Sequence, residues 1–384
     1  MKITIVLGAF LPVPPIMGGA IEKSWFALAQ EFVSRNHDVT LVSRASPELA
    51  RHEVVDGLRH VRVRGFDTPG SLIWLKVLDL FYSLRVRRIL PAADILVTNT
   101  FWLPLLVRDS SRGKIYVHVG RYPKEQVRLY RRTARLQAPS IAVAEAIKRE
   151  VPVVSDKVIA IPYPRPETTT RHTSPPLEAR SKVVLYVGRV HPEKGVDILV
   201  RAFARLYHTE FADWKLVIVG STDVKEGGGG ENYLRQLRQS AAIARDRIMF
   251  QGPVFDSLAL EEHFRTARLF VYPSLAVRGE TFGLAPLEAM THGCAVLVSS
   301  LKCFRDFITP DKTGFVFEQH SPLRLGDSSD PVEALVGAFR QALSDPVRLE
   351  QIAHAGLVKS EEFSRARVAD RFLSDFEKVI SRGQ

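Results

Sequence analysis

Short apolar runs alternate with amphipathic segments along most of the chain. Ile3 to Gly8 is apolar throughout and predicts a buried strand. The next segment, Ala20 to Ser34, places Trp25, Leu28 and Phe32 on one face of a predicted helix. This alternation of strand and helix favours a parallel sheet covered by helices.

The same pattern of apolar runs and amphipathic segments predicts the remaining strands and helices. In the first half, strands are predicted at Val39 to Val42, Glu53 to Val55, Leu58 to Val63, Asp94 to Thr98, Lys114 to Val119, Ile141 to Val143 and Val158 to Ile161. Asp56-Gly57 predicts a hairpin between two of them. In the second half, strands are predicted at Lys182 to Val187, Lys215 to Val219, Ile248 to Gln251, Leu269 to Val271, Ala295 to Val298 and Gly314 to Phe317. Helices are predicted there at Gly195 to Tyr207, Glu231 to Ala244, Leu284 to His292, Pro331 to Leu343, Pro346 to Phe363 and Arg365 to Ile380.

A Pro- and Thr-rich segment, Pro162 to Pro176, interrupts the alternation and predicts a linker. We therefore expect an N-terminal domain at 1–165, a linker at 166–180, a C-terminal domain at 181–360 and a last helix within 361–384. The chain of 384 residues is long enough for two full-sized cores. The four glycines Gly227 to Gly230 predict a mobile loop tip.

Composition narrows the class of protein. No apolar run approaches the ~20 residues that a membrane span needs. The N-terminus could pass for a signal peptide, but Pro12, Pro14 and Pro15 follow it, so a first strand is expected. Two cysteines make neither a disulfide framework nor a metal cluster, which favours a reducing cytoplasm. The net charge of +11 favours an anionic partner: nucleotides, acidic lipid surfaces or nucleic acid.

The segment from Tyr272 to Gly293 contains the largest number of candidate ligand-binding groups. It predicts a loop and then a short helix whose start, at Gly283, leaves backbone N–H groups free to face an anion. Glu280 lies in the loop, and Glu288 leans back toward the same helix end from one turn after Leu284. This arrangement suits a ligand with phosphates and hydroxyls, and the alternative is that both glutamates are simply solvated.

E-T-F-G-L-A-P-L-E resembles the E-x7-E signature of retaining GT-B glycosyltransferases, family GT4 in particular. The resemblance implies that Glu280 faces the sugar of a nucleotide-sugar donor and that Glu288 holds the ribose. It also implies donor contacts at Phe282, Gly283 and Leu284.

A second motif, G-R-x-x-x-x-K-G, begins at Gly188 after a predicted strand. Arg189 and Lys194 lie across a tight turn, so both could reach one anion, unless they form a solvated basic turn. The motif is similar to the diphosphate motif of GT4, which implies that Arg189 and Lys194 neutralise the leaving diphosphate. No Asp-x-Asp motif occurs, and we expect neither a metal nor another cofactor.

Weaker matches complete the site that the resemblance implies. Gly18 and Gly19 precede a helix, and their amides would approach the donor phosphate, although a plain turn is the alternative. His118 ends a predicted strand and would lie beside the donor sugar, whereas a lone histidine is more often structural. Gly220 and Val254 follow strands, where main chain would contact the base and ribose.

Two basic segments stay outside this site. Leu72 to Arg88 is apolar with a basic tail, and Arg121 to Arg135 carries six basic residues against one acid, Glu125. Both segments predict helices buried on one side, or a surface that docks on an anionic membrane or on a phosphate-bearing acceptor. Aromatic residues are not interleaved as in single-strand nucleic-acid grooves, so we expect no nucleic-acid partner.

We therefore predict a GT-B fold: two Rossmann-like, doubly wound α/β domains that face a cleft, with the last helix crossing back to the N-terminal, acceptor-binding domain. The predicted function is retaining transfer of a hexose-type sugar from a UDP- or GDP-linked donor to a hydroxyl of a glycan, lipid-linked or small-molecule acceptor. We expect polysaccharide or surface-glycan biosynthesis in the cytoplasm, either free in solution or at the inner face of the cell membrane. The alternatives are a nucleotide-sugar epimerase of the same fold and a non-catalytic nucleotide-sugar-binding protein.

Overall fold

The computed structural model describes residues 1–168, 174–207, 209, 211–319 and 330–381. Part of the predicted linker, residues 169–173, therefore lies outside the described residues. The chain forms two compact units. Unit 1 comprises Met1–Pro164 and Phe363–Gln384, and unit 2 comprises Arg165–Glu362.

Fourteen strands among the described residues form two sheets. In chain order they are β1 (Lys2–Val6), β2 (Asp38–Arg44), β3 (His52–Val55), β4 (Leu58–Val63), β5 (Ile95–Thr98), β6 (Lys114–His118), β7 (Arg135–Ala138), β8 (Val158–Ala160), β9 (Ser181–Val187), β10 (Lys215–Val219), β11 (Ile248–Gly252), β12 (Ala267–Tyr272), β13 (Ala295–Ser299) and β14 (Phe315–Phe317). The first sheet has the order β3-β4-β2-β1-β5-β6-β7-β8, and the second has the order β11-β10-β9-β12-β13-β14.

The helices connect these strands. They are α1 (Ala20–Ser34), α2 (Leu72–Ile89), α3 (Leu103–Leu106), α4 (Ile141–Glu150), α5 (Val196–Leu206), α6 (Gly230–Ala241), α7 (Ser257–Thr266), α8 (Leu284–Thr291), α9 (Pro331–Leu343), α10 (Pro346–Ser360) and α11 (Arg365–Ser381). None of the helices within the described ranges is long and apolar enough to cross a membrane.

Every strand pair is parallel except β3 with β4, which form the hairpin predicted at Asp56-Gly57. In each sheet the chain first builds outward on one side and then crosses to the other. The crossing falls between β1 and β5 in unit 1, and between β9 and β12 in unit 2. Loops at the carboxyl ends of strands on either side of such a crossing form the usual ligand crevice of open α/β sheets.

The last helix, α11, completes the core of unit 1. Its Phe372 ring lies 5.0 Å from Trp25, and its Phe376 ring lies 4.9 Å from Tyr116. Asp375, from the same helix, accepts hydrogen bonds of 2.9 and 2.6 Å from the guanidinium group of Arg135, and Asp375 also accepts one of 3.0 Å from Tyr116. The predicted α/β fold, with two Rossmann-like, doubly wound units and a returning last helix, is confirmed.

Two predictions in unit 1 were wrong. Ile141 to Val143 was predicted as a strand, but it begins helix α4, whose start is capped because Ser140 Oγ accepts a 3.3 Å hydrogen bond from the Val143 N–H. Arg121 to Arg135 was predicted as a helix with a basic face. It contains only a short 3-10 turn, Gln126–Tyr130, and Arg135 opens strand β7 with a buried side chain.

Candidate active site

The two motif loops of unit 2 meet where the sheet order reverses. One loop follows β9 and carries Arg189 and Lys194, and the other follows β12 and carries Glu280. The Leu275 N–H donates a 2.8 Å hydrogen bond to the Glu193 carbonyl and joins the two loops. Because β9 and β12 are adjacent and parallel, their carboxyl ends place both loops at one edge of the sheet.

Lys194 and Glu280 form an ion pair at this edge. Lys194 Nζ lies 2.8 Å from Glu280 Oε2, and only 8% and 11% of the two side chains are exposed. The Tyr272 hydroxyl donates a 3.1 Å hydrogen bond to the same carboxylate oxygen, and Lys194 Nζ also lies 5.6 Å from the centre of the Tyr272 ring. The sequence therefore predicted two members of one contiguous cluster.

Arg189 engages a different carboxylate. Its Nη2 donates a 2.8 Å hydrogen bond to Glu193 Oε1, and its Nη1 donates one of 2.9 Å to the Gly227 carbonyl. Its side chain is 46% exposed, in contrast to the buried Lys194. The structure thus places Arg189 and Lys194 in the same loop, each against its own carboxylate.

The four-glycine tract was predicted to be a mobile loop tip, but its last glycine begins helix α6. Its backbone is held on several sides: the Gly228 N–H donates to the Asp223 carbonyl at 2.8 Å, and the Gly229 N–H donates to the Val190 carbonyl at 2.9 Å. A Cβ at Gly228 would lie 2.2 Å from the Thr222 carbonyl carbon, so this position requires glycine. The tract supports Arg189 through the Gly227 carbonyl.

Two predicted glycines allow close backbone packing. A Cβ at Gly220 would lie only 1.8 Å from the Gly188 carbonyl oxygen, and the φ of Gly220 is +153°. Gly188 directly follows β9 and Gly220 directly follows β10, so the pair brings the two strand ends together. Val254 lies two residues beyond the end of β11 and is partly exposed.

Helix α8 begins four residues after Glu280. Gly283 precedes it with a φ of +99°, and a Cβ there would lie 2.5 Å from the Phe304 ring. Phe282 is buried against Phe307, whereas Leu284 is partly exposed at the helix start. The first N–H groups of a helix have no partner within it. Glu288 lies on α8 one turn after Leu284 and is partly exposed.

Sequence reasoning gave no role to two buried tyrosines at this site. Tyr186 and Tyr272 stack with ring centres 5.8 Å apart, and the Tyr186 hydroxyl donates a 2.8 Å hydrogen bond to the Arg189 carbonyl. Burial, and then the charge of Glu280, raise the pKa of both hydroxyls well above the ordinary value, so both remain donors. An aromatic residue close to the end of each motif strand was the available signal.

His118, in unit 1, is buried at the end of β6. The amide nitrogen of Gln137 donates to the carbonyls of Ala138 and Ile161, so its oxygen faces His118 Nδ1 at 2.5 Å. Nδ1 must then carry the proton, and Nε2 accepts the 2.8 Å hydrogen bond from the Tyr163 hydroxyl. Burial lowers the pKa of His118 to about 4, so the ring is neutral at pH 7.

Gly18 and Gly19 lie between β1 and α1 with φ values of +78° and +97°, a backbone shape that favours glycine. Gly18 and Gly19 come directly before α1, and His118 ends β6, as predicted for their place in the chain. Their roles stay predictions.

A family model described as "Glycosyl transferases group 1" matches residues 168–356, which contain both motif loops. The chain is also 23% identical to the lipopolysaccharide 1,2-N-acetylglucosaminetransferase of Salmonella typhimurium, over 97% of both chains. It is 27% identical to the lipopolysaccharide core biosynthesis mannosyltransferase of Rhizobium meliloti, over 53% of this chain and 54% of the relative.

Solved structures share the fold. The sucrose-phosphate synthase of Thermosynechococcus elongatus is 18% identical, with a TM-score of 0.77 and complete coverage of both chains. Anabaena HepE, solved in complex with UDP and glucose, is 18% identical with a TM-score of 0.71, and the match covers 98% of this chain and all of HepE.

Proposed function

We propose that this chain, a glycosyltransferase that belongs to the glycosyl transferases group 1 through its C-terminal unit, transfers a hexose-type sugar from a nucleoside-diphosphate sugar to an acceptor hydroxyl with retention of anomeric configuration. Unit 2 binds the donor. Arg189 and Lys194 bind its diphosphate, Glu280 faces its sugar, and Glu288 holds its ribose.

The observation that carries this proposal is the buried pair of Lys194 and Glu280 at the start of α8. The Lys194 ammonium group and the start of α8 supply positive charge, and the Glu280 carboxylate supplies negative charge close by. The cation and the helix start match phosphate oxygens. The carboxylate matches sugar hydroxyls, which donate hydrogen bonds to it.

The reaction separates charge, and the site stabilises that charge. The bond between the anomeric carbon and the diphosphate oxygen breaks, and a bond from the acceptor oxygen to the same face of that carbon forms. The acceptor proton passes to the leaving diphosphate. Lys194, Arg189 and the α8 start near Gly283 stabilise the negative charge that grows on the leaving group.

In this mechanism the Arg189 side chain changes its partner when the donor binds. Its 46% exposure and its hydrogen bond to Glu193 leave the guanidinium group at the surface, where it can exchange a carboxylate for a phosphate. Lys194 is fixed by Glu280 and by the Tyr272 ring, so it contributes a preorganised charge.

The donor base, the acceptor and the metal requirement belong to the same proposal. We propose a UDP- or GDP-linked sugar, a glycan or lipid-linked acceptor of a surface-polysaccharide pathway, and turnover without a metal or cofactor. The lipopolysaccharide enzymes among the relatives support the acceptor class, and the UDP in the HepE structure supports the donor. The positive charges of Arg189 and Lys194, which can take the place of a metal at the diphosphate, support turnover without one.

The test is hydrolysis and transfer with UDP-, GDP-, ADP- and dTDP-sugars in the presence of EDTA. Wild type is compared with Glu288→Ala and Arg189→Ala, and with Arg238→Ala, an exposed cation on α6, as a matched control. We expect release of one nucleoside diphosphate that is indifferent to EDTA, falls about 10²-fold or more in the site variants, and is unchanged in the control.

Other outcomes separate the alternatives. Inversion at the anomeric carbon would refute the retaining mechanism. Conversion of the nucleotide sugar without an acceptor would identify an epimerase. No turnover, together with a thermal shift by UDP, would identify a binding protein.

We also propose that unit 1 docks on an anionic membrane surface in the cytoplasm. The outward side of α2 exposes Ile73, Trp74 and Phe81, with exposed fractions of 76%, 61% and 51%. Arg87 and Arg88 are exposed at its end. An apolar helix face with basic residues suits insertion at the level of anionic headgroups.

Co-sedimentation with vesicles tests this surface. The full chain should bind phosphatidylglycerol-containing vesicles more strongly than phosphatidylcholine vesicles, and the variant Trp74→Ala with Phe81→Ala should lose most of that binding. Val347→Ala removes an equally exposed apolar side chain on α10 and should bind as wild type does. Equal binding by all three proteins would contradict the assignment to α2.

A further inference from the structure

A buried carboxyl group near the start of α1 has no role in the site described so far. Only 8% of Glu22 is exposed. Within the described chain, the influences that favour its charged form are its own backbone N–H and the charge of Arg121, an exposed residue. Burial outweighs both and raises the pKa of Glu22. Glu22 is therefore a desolvated acceptor at the edge of the sheet, without a strong donor from another side chain.

Gly19 makes room for this group. A Cβ at Gly19 would lie 2.3 Å from Glu22 Oε2, so the carboxyl lies directly against the backbone at the helix start. A helix N-terminus attracts one anion, and here the carboxyl of the chain itself supplies it. A phosphate at the same place would lie beside a carboxylate, and like charges repel. The ligand group that fits is therefore a neutral donor, such as a hydroxyl.

Neighbouring groups place Glu22 at the ligand edge of unit 1. A Cβ at Gly120 would lie 2.7 Å from His118 Nε2, 3.0 Å from the side chain of Ile21 and 3.1 Å from the Tyr163 hydroxyl. Ile21, the residue before Glu22, thus lies around Gly120 together with His118 and Tyr163, near the carboxyl ends of β6 and β8. The charge of Glu22 also acts on Tyr163. Open α/β sheets bind ligands at this edge.

We propose that Glu22 binds a hydroxyl group of the neutral sugar acceptor, with the carboxylate accepting the hydrogen bond. This inference rests on the proposed function in one respect, namely that the acceptor is a sugar. It assigns the start of α1 to a sugar hydroxyl rather than to the donor phosphate that the resemblance implies for Gly18 and Gly19.

Saturation-transfer NMR on the full chain tests the proposal. The probes are the methyl glycosides of glucose, galactose, mannose and N-acetylglucosamine. The proteins are wild type, Glu22→Gln and the control Glu145→Gln, an exposed carboxylate on α4. We expect at least one glycoside to bind wild type and the control, and to bind Glu22→Gln about tenfold or more weakly, because a hydrogen bond to a charged group is lost.

Two results would overturn the proposal: equal affinity of that glycoside for wild type and Glu22→Gln, or no binding of any glycoside to wild type. Thermal unfolding checks that the variant is folded, and Glu22→Asp, which keeps the charge but withdraws it from the site, serves as a second variant with the same expected loss. UDP binding is measured in parallel. If wild type binds a glycoside but does not bind UDP, the result would count against the proposed donor site of unit 2. The assignment of Glu22 to the acceptor would be unaffected.

Discussion

The ammonium group of Lys194 lies 2.8 Å from the carboxylate of Glu280, although 86 positions separate the two residues along the chain. Each group therefore compensates the other in a largely buried place. Such a pair couples stability to catalysis, because removing one partner leaves the other charged and poorly solvated.

The substitution Lys194→Ala should reduce both the stability and the catalytic activity of the protein. We expect about 3 kcal/mol less unfolding free energy, from urea titration, and about a 10²-fold or greater fall in turnover. The double variant Lys194→Met with Glu280→Gln removes both charges and should recover most of the stability but none of the activity. If the double variant is as unstable as the single one, the pair does not carry the stability assigned to it.

Gly220→Ala should separate the ends of β9 and β10. The new Cβ would lie 1.8 Å from the Gly188 carbonyl oxygen, so the backbone must move, at a cost of about 1–3 kcal/mol. UDP affinity, measured by calorimetry, should fall with it. The control is Gly337→Ala within α9, where a Cβ meets nothing within 4 Å and should stabilise the helix by up to about 1 kcal/mol.

His118 should make the protein sensitive to acid. Burial lowers its pKa from 6.5 to about 4, so the unfolded chain binds the proton first as the pH falls. Stability from His118 is present above pH 6.5 and is lost between pH 6.5 and 4, by roughly 2–3 kcal/mol at pH 4.5. His292, with a pKa also lowered by burial to about 4, titrates in the same window. Urea unfolding at pH 7.5 and 4.5 measures how much unfolding free energy wild type and His118→Asn each lose on acidification. If both proteins lose the same amount, the His118 ring is not buried in its neutral form.

Asp375 should matter far more than its neighbour Asp370. Asp375 is buried with two hydrogen bonds to Arg135, and its removal in Asp375→Ala leaves a buried cation, at a cost of about 3–5 kcal/mol. Asp370 pairs with Arg35 but is 65% exposed, so Asp370→Ala should cost less than about 1 kcal/mol. Thermal unfolding compares them. Similar losses of stability in the two variants would contradict the conclusion that the Arg135–Asp375 ion pair stabilises the packing of α11.

Local sequence patterns predicted the elements that have one clear face. Helix α1 was predicted with its observed bounds, because Trp25, Leu28 and Phe32 recur at helical spacing. Ile141 to Val143 was predicted wrongly, because a short apolar run fits a strand as well as a helix. Its helical state depends on the Ser140 cap and on apolar residues further along, such as Ile147.

Partners distant in sequence could not be predicted. Arg135 was counted among solvated basic residues because its carboxylate, Asp375, lies 240 positions away. The motif spacing put Arg189 and Lys194 in one loop, but it could not assign Glu193 to one and Glu280 to the other. These choices depend on how β9 and β12 pair.

The return of α11 to unit 1 has a consequence during synthesis. Phe372 and Phe376 complete a hydrophobic core whose other members, such as Trp25, lie near the beginning of the chain. As residues leave the ribosome from the N-terminus onward, the part of the apolar face of α1 that packs on α11 stays uncovered until the whole of unit 2 has been translated. The nascent N-terminal unit thus exposes part of its core during synthesis, and unit 2, which is continuous in sequence, can finish folding first.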